Sequence, residues 1–400
     1  MTTATTTPAA AGARAADPLR LIDVDHVRFY VGNAKQAAHY YAHTFGFRID
    51  QFSDLTVGSR DAASYLLTQG NIRFVIQTDL TPTGAIGEEV RRFGDGVKDV
   101  AFTVADAQRA FERAVKNGAV PDREPETLSD ERGSVTSASI KAYGRVTHTF
   151  VSRTGAYDLE QVRAGGRLSP AFHPTGPLRI NDYNVQHPCG LQWVDHCVGN
   201  VEQGKMNHWV EWYENVLEFK LFKHFDDKDI STEYSALMSK VMDSGFGVIK
   251  MPINEPAEGK KKSQIQEYLE WHDMTPGVQH LALRTNDELA SVAELRRRDV
   301  DFLTLPDSYY EIVWDRVDAT LREHGLEPVK EDHQKIRDLG ILVDADDQGY
   351  LLQLFTKPLQ DRPTLFFEII CRRGSQSFGK GNFKALFEAL EIEQQRRGNL

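Results

Sequence analysis

The chain has 400 residues, of which 40% are hydrophobic and 26% charged, and its formal net charge at pH 7 is −11. This length predicts two domains or one duplicated architecture, and the acidic balance argues against a nucleic-acid surface. No run approaches the ~18 apolar residues of a membrane helix, and three cysteines without a CxxC pair fit a reducing compartment, so a cytoplasmic protein outside the membrane is expected.

The first residues form a region of unusual composition. Residues 1–18, MTTATTTPAAAGARAADP, are rich in alanine and threonine and lack the apolar stretch of a signal peptide. They are therefore predicted to be a disordered tail. One compact basic run, Lys260 to Lys262, follows Gly259 and is predicted to be a solvated loop.

The chain repeats itself. VDH occurs at 24–26 and at 194–196, each time followed within a few residues by Gly-Asn and a helical pattern. Farther on, GVKDVAFTVAD (96–106) matches GVQHLALRTND (277–287). We therefore expect two βαβββ-like modules in each half, with an N-terminal domain at 19–176, a proline-bordered linker at 177–190 and a C-terminal domain at 191–400. Strands are predicted at 72–78, 147–152, 350–356 and 364–370, which are rich in β-branched and aromatic residues.

The most informative side chain is Glu368, which lies within the apolar run TLFFEII. A buried carboxylate requires a cation, and that cation is either Arg372, four residues along the strand, or a metal. His196 lies on a predicted strand, and His280 lies in VQHLAL, where an ordinary core histidine is the simpler interpretation. Two histidines and one carboxylate on separate strands would, however, form the ligand set of a non-haem Fe(II) centre.

The first half allows an internal comparison. His26 matches His196, but Asp99 stands where His280 stands, and only a loose alignment places Glu160 opposite Glu368. The first half is therefore expected to be a structural partner, and the metal site is expected in the second half.

Six segments together resemble one known family, 4-hydroxyphenylpyruvate dioxygenase, within the vicinal oxygen chelate fold group. They are VDHCVGNV (194–201), MPINEP (251–256), KSQIQEYLE (262–270), GVQHLAL (277–283), LLQLFTKPLQDRPTLFFEII (351–370) and FGKGNFKALFE (378–388). The resemblance extends from about residue 20 to the C-terminus. It implies an α+β fold of two tandem vicinal oxygen chelate domains, each of paired βαβββ modules forming an open barrel-like sheet, with a C-terminal helix over the active site.

The resemblance also implies an activity. Fe(II) would be held by His196, His280 and Glu368, and 4-hydroxyphenylpyruvate would bind through its carboxylate and keto oxygens. With O2 it would be converted to homogentisate and CO2, a step of tyrosine and phenylalanine catabolism. The family further suggests a homo-oligomer, either a dimer or a tetramer.

Further site residues are implied by position in the family motifs. The catalytic cavity would be built by Gln353 beside the iron and by Phe355, Phe366, Phe378 and Phe383. The substrate would be bound by Ser239, Asn254, Gln264 and Gln279. Strand alternation independently places Phe366 on the face of Glu368, whereas it turns Gln279 away from His280.

The last segment, 382–397, has apolar residues at helical spacing and is predicted to be an amphipathic helix. It either docks as ordinary structure or forms a lid that carries Phe378 and Phe383 at its entry, where Gly379 and Gly381 permit bending. Three alternatives to the main activity remain: a 4-hydroxymandelate synthase with the same substrate, an extradiol catechol dioxygenase, and a non-catalytic protein that binds an aromatic ligand.

Overall fold

The computed structural model describes residues 19–225, 236–245, 247–257 and 262–398. The tail predicted at 1–18 lies outside these residues, as do Lys260 and Lys261 of the basic run. Within the described part, no helix has both the length and the apolar character needed to cross a membrane.

The first half follows the predicted module order, with paired strand and helix units. Its strands are β1 (Leu21–Tyr30), β2 (Arg48–Ser53), β3 (Ala62–Gln69), β4 (Ile72–Asp79), β5 (Gly96–Val104), β6 (Pro121–Asp130), β7 (Gly133–Lys141), β8 (Thr147–Gly155) and β9 (His173–Pro174). Its helices are α1 (Ala34–Phe45), α2 (Ala85–Phe93), α3 (Ala107–Lys116), α4 (Leu159–Arg163) and α5 (Arg179–Gln186), with a 3₁₀ turn at Leu55–Val57.

The second half repeats this order with two additional helices. Its strands are β10 (Leu191–Asn200), β11 (Lys220–Phe225), β12 (Ala236–Asp243), β13 (Lys250–Ala257), β14 (Gly277–Thr285), β15 (Leu342–Asp346), β16 (Gly349–Phe355) and β17 (Phe366–Arg373). Its helices are α6 (Met206–Val216), α7 (Gln264–Trp271), α8 (Glu288–Arg297), α9 (Ser308–Glu323), α10 (His333–Leu339) and α11 (Phe383–Arg396), with a 3₁₀ turn at Lys380–Asn382. Helices α9 and α10 have no counterpart between α3 and β6.

Each half of the described chain forms one mixed sheet. The strand order is β6-β7-β8-β5-β1-β4-β3-β2-β9 in the first and β11-β12-β13-β10-β14-β17-β16-β15 in the second. In both, the first strands of the two modules pair antiparallel at the centre, β1 with β5 and β10 with β14. This is the predicted α+β architecture of paired βαβββ modules.

Local sequence explains why equivalent helices begin at equivalent places. The side chain of Asp106 accepts a hydrogen bond from the backbone N–H of Arg109, and that of Asp287 accepts one from the N–H of Ala290, both at 3.0 Å. An Asp at this position satisfies a backbone donor that has no partner within the helix. The repeated segments therefore include the caps of α3 and α8.

The predicted linker at 177–190 is largely helical. Helix α5 occupies most of it, and the Asn184 amide donates to the carbonyls of Ala42 at 2.9 Å and Phe47 at 2.8 Å. The segment is thus attached to the first half by hydrogen bonds, and the domain boundaries at 19–176 and 191–400 stay a prediction.

The two halves pack through an aromatic cluster behind β17. Phe367 is fully buried, and its ring centroid lies 5.0 Å from Phe45, 5.8 Å from Phe74 and 5.9 Å from Tyr41, all residues of the first half. Alternation turns Phe367 away from the face that carries Glu368. The first half therefore supports the strand on which Glu368 stands.

Candidate active site

Strand register brings the three metal-ligand candidates onto one face of the second sheet. His196 on β10 lies opposite Ala282 on β14, and Ala282 lies opposite Glu368 on β17. His280 is two residues from Ala282 on β14, so it points to the same side. Paired strands therefore join residues that are far apart along the chain.

The three side chains converge at short distances. Nε2 of His196 lies 3.1 Å from Oε2 of Glu368, and Nε2 of His280 lies 3.4 Å from the same oxygen. One ligand atom from each lies within 4.8 Å of the others, and all three residues are buried. Burial alone would raise the pKa of Glu368, but the two histidines lower this pKa to about 2. A charged carboxylate beside two imidazole nitrogens is a donor set that fits a divalent transition metal.

A hydrogen bond on the outer nitrogen orients His196. Its Nδ1 donates to Oδ1 of Asp195 at 2.9 Å, which leaves Nε2 directed at Glu368. Burial would raise the pKa of Asp195, but the guanidinium of Arg372 and the bond from His196 lower it well below its ordinary value. The charged carboxylate can only accept, which sets the tautomer of the histidine.

His280 is oriented by its neighbour Gln279. Nδ1 of His280 lies 3.0 Å from Oε1 of Gln279, and both side chains line the same cavity. Alternation had predicted opposite faces, and that expectation is wrong here because the strand contains a β-bulge. Val198 pairs with His280 and Gly199 with Val278, so Gln279 is the extra residue between them.

The simpler interpretation of Glu368 required Arg372 to neutralise it. The structure does not show this contact. Its Nε and Nη2 donate to Oδ2 and Oδ1 of Asp195 at 2.8 and 2.7 Å. Its Nη1 donates to the carbonyls of Ser377 at 2.6 Å and Ser375 at 3.3 Å. The two histidines are therefore the groups that face the Glu368 carboxylate.

The triad lies on the wall of a cavity of about 590 Å³, part of it open to solvent. Aromatic rings surround the histidines: Phe366 stacks on His280 at 4.8 Å, Phe355 lies 6.1 Å from His280 edge-on, and Phe378 lies 5.0 Å from His196. The other lining residues are Val198, Phe225, Leu237, Ser239, Val241, Pro252, Asn254, Gln264, Gln279, Phe383, Leu386, Phe387 and Leu390. The cavity is apolar with few polar groups, which is typical of a small-molecule site.

Three of the nominated polar residues lie on the wall away from the triad strands. Ser239 on β12 pairs in register with Asn254 on β13, so their side chains are neighbours on one face. The amide of Asn254 donates to Oδ1 of Asn200 at 3.5 Å. Gln264 is the first residue of α7 and is partly buried. These residues bring hydrogen-bonding groups to the side of the cavity formed by β12, β13 and α7.

Gln353 differs from the other nominated residues because it does not line the cavity. It is almost fully buried on β16, and neither polar atom of its amide has a hydrogen-bond partner among the described residues. Gly379 packs against this amide, and a Cβ added at Gly379 would lie 2.1 Å from Nε2 of Gln353. This amide lies on the strand that pairs with the strand of Glu368, and it requires a partner that the described residues do not supply.

Helix α11 covers the cavity, and Phe383, Leu386, Phe387 and Leu390 form that side of it. The two glycines before it are tightly packed. Gly379 has a left-handed φ of 75°, and a Cβ at Gly381 would meet Nη1 of Arg316 at 1.8 Å. Close packing explains why glycine stands at both positions, and their role in bending stays a prediction.

Among the described residues, the first half has no equivalent of the ligand set. By register, the position of Glu368 is taken by Thr149 on β8, because Phe102 pairs with Phe150 there. Glu160 instead lies on α4 with an exposed side chain that bonds Arg163. Arg28 replaces Val198, and its Nη2 lies 3.4 Å from Nε2 of His26. The loose alignment to Glu160 was wrong because α9 and α10 lengthen the second half between β14 and β17.

Comparison with known proteins agrees with this geometry. The model of the Glyoxalase/Bleomycin resistance protein/Dioxygenase superfamily matches residues 23–136 and 193–311. A Yarrowia lipolytica protein named 4-hydroxyphenylpyruvate dioxygenase is 46% identical over 384 residues, covering 94% of this chain and 93% of that protein. A Xenopus tropicalis protein of the same name is 46% identical over 383 residues, covering 95% and 93%.

The chain belongs to the 4-hydroxyphenylpyruvate dioxygenase family. The predicted resemblance and the vicinal oxygen chelate fold are therefore confirmed. Among solved structures, a mutant of 4-hydroxymandelate synthase from Streptomyces coelicolor superimposes with a TM-score of 0.78 at 27% identity, covering 94% of this chain and 99% of that one. The greater identity to the 4-hydroxyphenylpyruvate dioxygenases places the chain with them rather than with the synthase.

Sequence reasoning overlooked Asp195, which orients His196. A signal was present, since the VDH repeat includes an aspartate in both copies, and Asp25 makes the same hydrogen bond to His26 at 2.7 Å. On the inner side of α11, Phe383 was nominated for the cavity, whereas Leu386, Phe387 and Leu390 were recognised only as a helix face, because only the tertiary structure shows what that face covers.

Proposed function

We propose that this chain is an Fe(II) dioxygenase that converts 4-hydroxyphenylpyruvate and O2 to homogentisate and CO2 in tyrosine catabolism. The observation that carries the proposal is the convergence of His196, His280 and Glu368 on the wall of a buried aromatic cavity. The family places the enzyme among dioxygenases, and the cavity supplies the space for one aromatic substrate.

The residues present fit a ferrous ion. Nε2 of His196, Nε2 of His280 and a Glu368 oxygen would hold it, and three protein ligands leave positions for substrate and O2. When bound, iron supplies the site where O2 and the keto acid exchange electrons. Asp195 and Gln279 keep the imidazoles oriented, because each accepts a hydrogen bond from the outer nitrogen.

The polar side chains would bind and orient the substrate. Gln353 does not line the cavity, but its unpaired amide would contact the keto-acid end of the substrate if the neighbouring Gly379 shifts. Ser239, Asn254, Gln264 and Gln279 provide hydrogen-bonding partners for the remaining oxygens of the substrate. Each good polar contact inside a dry cavity both holds and selects the ligand.

The aromatic rings would hold the phenol ring and exclude water. Phe355 and Phe366 pack around His280, and Phe378 and Phe383 form the side near α11. Rigid aromatic walls restrict the orientation of a planar substrate. They would keep the ring carbon that bears the side chain next to the oxidant, which favours ring hydroxylation and side-chain migration.

The second candidate is oxidation at the benzylic carbon, giving 4-hydroxymandelate from the same substrate. The fold similarity to a 4-hydroxymandelate synthase is the observation in its favour. Against it stand the higher identity to the dioxygenases and the intact PIN segment, whose Pro252 and Asn254 both line the cavity.

One assay separates these outcomes. Purified chain is loaded with Fe(II) without oxygen, given 4-hydroxyphenylpyruvate and then O2, and the products are resolved by chromatography. We expect homogentisate and CO2 in equal amounts. Hydroxymandelate would assign the chain to the synthase reaction, and no O2 uptake with the iron site filled would indicate a binding protein.

A matched pair of variants tests the location of the site. Glu368→Ala is expected to abolish turnover and lower iron retention, whereas Glu160→Ala leaves both unchanged because its side chain is exposed on α4. Loss of iron in the Glu160 variant would show that the iron site lies in the first half and that its assignment to the second half is wrong.

We further propose a homo-oligomer, a dimer or a tetramer, in the cytoplasm. The three cysteines are buried free thiols, which agrees with a reducing compartment. Light scattering during gel filtration measures the oligomeric state, and a monomer at micromolar concentration would contradict the first part of this proposal.

A further inference from the structure

Arg372 lies at the junction of two parts of the site. Its side chain is 3% exposed, and its guanidinium makes a two-point hydrogen bond to Asp195 at 2.7 and 2.8 Å. A third nitrogen donates to the carbonyls of Ser375 and Ser377, the residues that lead to Phe378. A planar guanidinium whose donors point in fixed directions sets the geometry of every group it bonds.

Both groups that Arg372 holds touch the metal site. Asp195 accepts the hydrogen bond from Nδ1 of His196. The Phe378 ring lies 5.0 Å from the His196 ring and 5.5 Å from the guanidinium carbon of Arg372. One buried cation is therefore connected to a metal-ligand candidate through a carboxylate and to the cavity wall through backbone carbonyls and a cation–π contact.

We propose that Arg372 is a positioning residue for the reaction, which holds His196 and the Phe378 wall in a fixed relation to each other. This inference rests on the proposed function, since it assigns Arg372 to the same iron and substrate site. A shift of either group changes the direction from which the substrate ring meets the oxidant. Arg372 thus acts through other residues, and it affects how well O2 consumption is coupled to product formation.

The first half contains an equivalent Arg-Asp-His unit, which shows which contacts of Arg372 belong to the fold in general and which are particular to the site. Arg153 makes the equivalent bond to Asp25, with Nη2 to Oδ1 at 2.9 Å, and Asp25 accepts from His26. Nη1 of Arg153 also donates to Oδ2 of Asp25, and its Nε donates to the carbonyl of Leu168 at 3.4 Å. The Arg-Asp-His unit therefore occurs in both halves, but among the described residues the connection to an aromatic wall beside the histidine occurs only in the second.

A second cation, Lys250, contacts the same wall and acts on Asp195 and Arg372 only through its charge. Nζ of Lys250 lies 5.9 Å from the centroid of Phe378 and 5.8 Å from that of Phe222. Asp195, in contrast, bonds His196 and Arg372. Lys250→Met therefore perturbs mainly the wall, Asp195→Asn perturbs mainly the ligand, and Arg372→Gln perturbs both.

The experiment measures two quantities on the full chain. The first is the Fe(II) dissociation constant from direct titration, which requires no turnover. The second is the ratio of homogentisate formed to O2 consumed. We expect Asp195→Asn to weaken iron binding about 10- to 100-fold. Lys250→Met is expected to lower the ratio with a much smaller effect on iron binding, and Arg372→Gln is expected to change both quantities.

Arg153→Gln is the matched control, and it is expected to lower thermal stability without changing iron binding or the product ratio. Arg372→Lys is the second variant if Arg372→Gln does not fold. It keeps the positive charge but not the planar guanidinium, so it is expected to recover iron binding only in part. Arg372 variants with wild-type iron affinity and product ratio would overturn the proposal, whatever their stability. If the unmodified chain makes no homogentisate, the proposed function fails. The iron titration still shows whether Arg372 positions the metal ligand His196.

Discussion

Phe367→Ala tests whether the first half supports the metal strand. The ring is fully buried behind β17 and contacts three aromatic rings of the first half, the nearest with centroids 5.0 Å apart. Removing a buried Phe side chain costs about 3–5 kcal/mol of unfolding free energy, from lost burial and the cavity left behind. Since Glu368 is the adjacent residue on the strand, partial collapse into this cavity also shifts the carboxylate, so weaker iron binding is expected.

Urea unfolding of the apo and iron-loaded chains measures both effects, and iron titration of the folded variant measures the second directly. Phe52→Ala is the control, because its half-buried ring lies 6.4 Å from that of His173 on β9 and has no ring contact with β17 among the described residues. The control is expected to lose less stability than Phe367→Ala and to bind iron normally. Equal losses in the two variants, or normal iron affinity in Phe367→Ala, would refute the reasoning that the first half supports Glu368.

Three further predictions concern other sites. Both carboxylate oxygens of Glu288 lack a hydrogen-bond partner among the described residues, and burial raises the pKa of Glu288 well above its ordinary value. The folded chain therefore binds the proton more tightly, and stability falls as pH rises from about 4.3 toward the folded pKa, so Glu288→Gln should raise the melting temperature more at pH 8 than at pH 5. Gly379→Ala should cost at least about 1–2 kcal/mol in urea unfolding, because it places a side chain at positive φ against Gln353. Phe383→Ala should raise KM roughly tenfold through lost apolar contact while the iron dissociation constant stays unchanged, and a changed iron constant would contradict its placement on the cavity wall alone.

Strand alternation predicted the site only where the ladder is regular. It correctly placed Phe366 on the face of Glu368, since β17 pairs with β14 without a register shift. It failed for Gln279, because the bulge beside His280 turns both side chains into the cavity. A bulge depends on how two strands pair, and neither strand alone shows it.

Aligning the two halves by their repeated motifs worked for only some of the strands. Repeated motifs align β1 with β10 and β5 with β14 from sequence alone, but β8 and β17 carry no shared motif. Helices α9 and α10 also remove the constant spacing between the halves. Only the register shows that Thr149 occupies the position of Glu368.

The sequence by itself determined that the chain is duplicated, which family it resembles and which residues could ligate a metal, because periodicity and motifs are local properties of the chain. The tertiary structure decided which groups meet. Arg372, four residues from Glu368, was one of two candidates for neutralising it, yet Arg372 bonds Asp195, 177 residues away in sequence. A buried ion pair forms where geometry places opposite charges within hydrogen-bond distance, and that distance is set by strand pairing across the sheet rather than by separation along the chain.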